Sequence, residues 1–106
     1  MELNVKIAAR IRVPMILDEL VYQGAKEMRL FLNIANAFTL NDEDRKKINW
    51  RQEGNFILYD EKLEAELSPV VISKEELEFL KTILDNRAPV KKNDNDWIDQ
   101  IMAAGV

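Results

Sequence analysis

The 106-residue chain contains no cysteine and no histidine. Without cysteine there are no disulfides, thiolate zinc sites, iron–sulfur clusters or cysteine nucleophiles. Without histidine the commonest general base, the commonest metal ligand and the side chain that changes charge near neutral pH are all missing. Three glycines and three prolines leave little room for a flexible linker, and no Gly-rich phosphate loop exists. The longest apolar run, Val13 to Leu17, is far short of the roughly 20 residues a bilayer span requires. Met1-Glu2-Leu3-Asn4 lacks the basic-then-apolar pattern of a signal peptide, so the expected location is cytoplasmic.

What is present is an ordinary globular composition, 47% hydrophobic and 32% charged. It reads as a single small α+β domain over residues 1–106. A chain of this size buries roughly 60–70% of its unfolded surface and folds without a metal or disulfide. The net charge of −4 is unevenly placed. Residues 1–52 carry nine Lys/Arg against seven Asp/Glu, and residues 53–106 carry six against twelve. An acidic protein is repelled by nucleic acid as a whole, although the N-terminal half is mildly basic.

Residues 3–17 fit two patterns. Leu3, Val5, Ile7, Ala9, Ile11, Val13, Met15 and Leu17 alternate as in a strand, while Leu3, Ile7, Ala8, Ile11 and Met15 form a helical stripe that Pro14 would kink or stop near Val13. Residues 25–38 predict a helix with Met28, Phe31, Leu32, Ala35 and Phe38 on one face and Ile34 widening it. Asn41 is placed to cap a short third helix whose acidic start, Asp42-Glu43-Asp44, and basic end, Arg45-Lys46-Lys47, suit the helix dipole. A hairpin follows, Asn49–Gln52 and Phe56–Tyr59, with Gly54 and Asn55 able to supply positive φ at the turn. Glu66–Ile72 predicts a third strand, placed at an edge or bulge by Pro69. Ser73 and Glu76 form a capping box for a helix through about Leu84. A last helix is expected from Asp96 to Ala104, with Gly105 past its end. The expected architecture is helices on a small antiparallel sheet of two or three strands.

Candidate sites are few. Asn93-Asp94-Asn95-Asp96 has the look of a calcium loop, but the required glycine is missing and the segment reads as a helix N-cap. Trp50, Phe56 and Tyr59 on paired strands could stack bases, but cross-strand aromatics more often build core, and Trp50 is expected to pack under the helices. Trp97 reads as a docking contact for the last helix. Glu75, Glu78 and Asp85 share a helix face and, with Glu61, Glu64 and Glu66, could form an acidic partner surface. Three helices followed by a hairpin also give the order of a winged helix, with Arg45, Lys46, Lys47 and Arg51 as candidate nucleic-acid contacts. The acidic first turn of that third helix argues against it. No catalytic, metal or cofactor set emerges.

The run Val13–Leu17, Met28-Arg29-Leu30 opening a helix, Thr39–Asp44 and the hairpin Trp50–Phe56 give the chain a resemblance from roughly Arg10 to Met102. It resembles a family of small uncharacterised phage and prophage proteins, one with no assigned activity. The resemblance implies a helical start and tips residues 3–17 toward helix. The family's Pro-x-x-Gly break, its Glu/Ile-alternating third strand and its Tyr-Glu-Lys-Phe-like ending are not matched here. The expected function is that of a non-catalytic protein-binding module, a phage-encoded accessory protein or inhibitor of a host protein, with DNA mimicry as a variant. The expected partner is a host or phage protein, with membrane and cofactor excluded and homo-oligomerisation open. The alternative is a winged-helix-like nucleic-acid-binding protein.

Overall fold

The segment that fits two patterns in the sequence adopts both. In the computed structural model, which describes residues 1–105, Glu2–Lys6 is a strand, β1, and Ile7–Asp18 is a helix, α1. The switch occurs where the first helical donors find partners outside the helix. Ile7 N–H donates to the Glu66 carbonyl at 2.9 Å and Ala8 N–H to the Glu64 carbonyl at 3.1 Å, so α1 needs no side-chain cap. Pro14 does not stop the helix near Val13 as the sequence suggests. It removes one donor, that to the Arg10 carbonyl, but Val13, Ile16 and Leu17 are all buried and hold the helix through Asp18.

The remaining elements are α2 (Gly24–Phe38), α3 (Asp42–Lys47), β2 (Arg51–Glu53), β3 (Phe56–Leu58), β4 (Leu67–Val71), α4 (Lys74–Asn86) and α5 (Asn95–Ala103). Short 3₁₀ turns occupy Glu61–Leu63 and Lys92–Asp94. The fold is mixed α+β, with helices packed against two small antiparallel sheets rather than one. β1 pairs with β4, Leu3 opposite Val70 and Val5 opposite Ser68. Among the described residues β2 pairs only with β3, Gln52 opposite Ile57. Three helices before a hairpin are present as read, but the strand that would complete a winged sheet lies ahead of the helices and joins β4 instead.

The turn of the hairpin uses Gly54 at φ +61°, with Asn55 on the ordinary side of the map. A glycine at the first central position matches the primed turn that twisted strands prefer. The capping box of α4 forms in both directions: Ser73 Oγ accepts from Glu76 N–H at 3.1 Å, and Glu76 Oε1 accepts from Ser73 N–H at 2.7 Å. Asn41 Oδ1 accepts from Asp44 N–H at 2.7 Å and starts α3.

Two buried clusters hold these elements. The larger joins Val13, Ile16 and Leu17 of α1, Phe31, Ile34 and Phe38 of α2, Leu77, Leu80 and Ile83 of α4, and Trp97 and Ile101 of α5 over Val5 and Val70. The buried stripe of α2 is narrower than its apolar periodicity indicates, because Met28 and Leu32 remain exposed. The smaller cluster, Ile7, Ile11, Leu40 and Ile48, carries the half-buried Trp50, Tyr59 and Leu63. Between α1, α2, α3 and β4 lies Arg10, which is buried. Its guanidinium donates to the Phe38 and Thr39 carbonyls at 3.2 and 2.9 Å, to Asp44 at 3.0 Å and to Ser68 Oγ at 2.7 Å. A buried charge is tolerated only when paired and bonded in this way.

Candidate functional site

A groove of about 550 Å³ runs between α1, the hairpin and the Lys91–Trp97 segment. That is within the range of natural ligand pockets. Its origin is local. β3 places two adjacent apolar residues, Phe56 and Ile57, on a hairpin that has no third strand among the described residues, so neither is fully covered. Phe56 is 74% exposed and Ile57 48%, and Met15 on the facing side of α1 is 48% exposed. All three line the groove.

The wall beneath them is built of stacked aromatics. Trp50 and Tyr59 stack with ring centroids 6.1 Å apart. The Arg45 guanidinium lies 5.2 Å from the Trp50 ring centroid, a cation–π contact. Tyr59 Oη donates to Glu64 Oε1 at 2.5 Å. Burial, then the hydrogen bond to Glu64, then the charges of Glu64 and Glu61 push the Tyr59 hydroxyl well above its ordinary range, with Arg12 opposing weakly. Tyr59 is therefore a hydrogen-bond donor here rather than a base.

The opposite wall is set by Asp94. Its carboxylate accepts from Arg12 Nε at 3.0 Å and Arg12 Nη2 at 3.1 Å, from the Lys91 N–H at 2.8 Å and from Trp97 Nε1 at 3.0 Å. Burial alone would raise this carboxyl. The Arg12 hydrogen bonds, with those from Lys91 and Trp97 and the Arg12 charge, outweigh it and hold Asp94 below the usual carboxylate value. The segment expected to be a simple N-cap of the last helix thus works differently. Asp94 precedes α5 but gives that helix no side-chain cap, and it ties α5 to α1 instead. Trp97 is buried, and with Asp94 it fixes α5 as a docking element.

The other sequence candidates are scattered. Glu75, Glu78 and Asp85 are all exposed on α4, and none lines the groove. Glu75 meets Lys26 at 3.6 Å, a solvated pair. Glu61 and Glu64 do line the groove, so the acidic residues divide between two surfaces. Of the cationic set, Arg45 is half-buried against Trp50, Lys46 and Lys47 are exposed, and Arg51 bonds the Asn49 carbonyl at 3.1 Å and lies 3.8 Å from Glu53. Sequence reading missed Met15 and Ile57 as site residues, and it weighed Phe56 only as a base-stacking or core aromatic, whereas Phe56 is exposed at the groove. The signal for Phe56 and Ile57 was the short strand with consecutive apolar residues.

Among the described residues no group of three acidic side chains converges to hold a metal ion, and no helix is long and apolar enough to cross a membrane. In comparisons with known proteins, no family model, no curated protein and no solved structure matches this chain.

Proposed function

We propose that this domain is a non-catalytic protein-binding module whose contact surface is the groove between α1 and the hairpin. The observation that carries this reading is the exposure of Met15, Phe56 and Ile57 around a stacked Trp50–Tyr59 wall. Binding energy in protein interfaces concentrates in aromatic and large apolar side chains that fill desolvated pockets. Such residues, set on a packed aromatic wall, bury apolar area when a partner covers them. The acidic face of α4, Glu75, Glu78 and Asp85, has the opposite character. Exposed carboxylates steer encounter and contribute little to affinity. An accessory or inhibitory protein, phage-encoded as the sequence resemblance implies, would use such a surface to occupy a host protein.

A nucleic-acid role has less support. The α3 helix has six residues and an acidic first turn, and Arg45 is turned onto Trp50. The test is capture from a nuclease-treated bacterial lysate, comparing the native chain, F56D and the double variant E75K/E78K. The expected result is one host protein held by the native chain and by E75K/E78K and lost with F56D. Recovery that vanishes with nuclease, or survives F56D, would overturn the reading.

A further inference from the structure

A second exposed surface lies on the β1–β4 sheet. Along β4, Ser68 and Val70 point into the protein while Leu67, Pro69 and Val71 point out. Leu67 is 60% exposed and Val71 69%. Opposite them on β1 stand Lys6 (against Leu67), Asn4 (against Pro69) and Glu2 (against Val71). The outward face is therefore an apolar stripe beside a strand that carries a carboxylate at one end and an ammonium at the other. Neither Glu2 nor Lys6 has an ion-pair partner within 4 Å among the described residues.

The free edge of this sheet is poorly suited to strand addition. Met1 and Ile72 exchange both backbone hydrogen bonds, at 2.8 and 3.0 Å, and Ile7 N–H bonds the Glu66 carbonyl. Alternation along an antiparallel ladder then turns the backbone groups of Leu67, Pro69 and Val71 toward the outer edge of β4. Pro69 has no N–H to offer there, which is how natural edges avoid extension. On the β1 side the Lys6 N–H is already taken by Gln100 Oε1 at 2.9 Å. The apolar face offers the better surface to a partner than either edge.

We propose that the occupant is a second copy of the chain, related by a two-fold axis lying between the sheets and perpendicular to the strands. That operation places β1 over β1 running in the opposite direction, so Glu2 of each copy meets Lys6 of the other. It places Leu67 over Val71 and Pro69 over Pro69. The pattern is self-complementary, as an isologous interface requires. Sheets stacked about 10 Å apart bring such side chains within reach. Two five-residue strands offer a small area against the roughly 800 Å² per partner of a standard interface, so the dimer is weak and concentration-dependent.

Sedimentation velocity over three decades of concentration tests this on the full chain. The native chain is expected to move from monomer to dimer. The single variant K6E opposes like charges at both symmetric contacts and is expected to weaken association about tenfold or more. The swapped double variant E2K/K6E restores the opposite-charge contacts and is expected to recover it. V71D should leave a monomer with an unchanged circular dichroism spectrum. A native chain that stays monomeric throughout would overturn the proposal. So would a dimer indifferent to K6E and V71D, or one that E2K/K6E fails to rescue.

Discussion

Arg12 on α1 holds both carboxylate oxygens of Asp94, 82 residues later in the chain, at 3.0 and 3.1 Å. This fork joins the first helix to the last and forms one wall of the groove. Asp94 is buried, and breaking a buried pair by removing one partner leaves an uncompensated charge. D94N is expected to lose about 3 kcal/mol of stability in urea denaturation. The folded state holds this carboxyl below its free value of 3.8. Its contribution is therefore present above that value and disappears as pH falls through the folded value. The gap between the native chain and D94N should be widest near neutrality and should close in acid.

Arg10 should tolerate no replacement. Its guanidinium serves two carbonyls, one carboxylate and one hydroxyl at once. Lysine offers a point charge that cannot reach four acceptors in a plane. R10K and R10M are each expected to cost about 3–5 kcal/mol, because both leave buried acceptors unsatisfied. Thermal denaturation checks this, and R10K close to the native midpoint would contradict the network.

Tyr59 is expected to ionise late. In a Y22F background its tyrosinate absorbance should rise only well above the ordinary value of 10.0, and E64Q should move it back toward that value. A raised folded value means the contribution is intact below 10.0 and is lost as pH rises through the folded value. Native stability should thus fall in strong alkali more steeply than that of Y59F.

Local chemistry was legible in the sequence wherever one residue decides the outcome. Asn41, Ser73 with Glu76, and Gly54 each do locally what their residue type dictates, and Pro69 sits at a sheet edge as expected. Residues 3–17 could not be resolved by periodicity, because inward positions Leu3 and Val5 continue smoothly into the helical stripe Ile7 and Ile11. The deciding partners, the Glu64 and Glu66 carbonyls and Gln100, lie far along the chain. The same is true of the site. Asp94 was read as a cap because its bond to Arg12 spans 82 residues, and Arg10 passed unnoticed because nothing near it in sequence shows what it bonds. Sequence spacing grouped Glu61 and Glu64 with the α4 acids, whereas the fold turns them toward the groove.

The most direct measurement is the affinity of the captured partner for the native chain, F56D and E75K/E78K, side by side at two salt concentrations. Phe56 is largely solvent-exposed, so its replacement should change stability by no more than about 0.5 kcal/mol. The expected result is a loss of at least about tenfold with F56D, and with E75K/E78K a change confined to association rate and salt dependence. Unchanged affinity in F56D together with collapse in E75K/E78K would contradict the groove as the binding site and move it to the acidic face of α4.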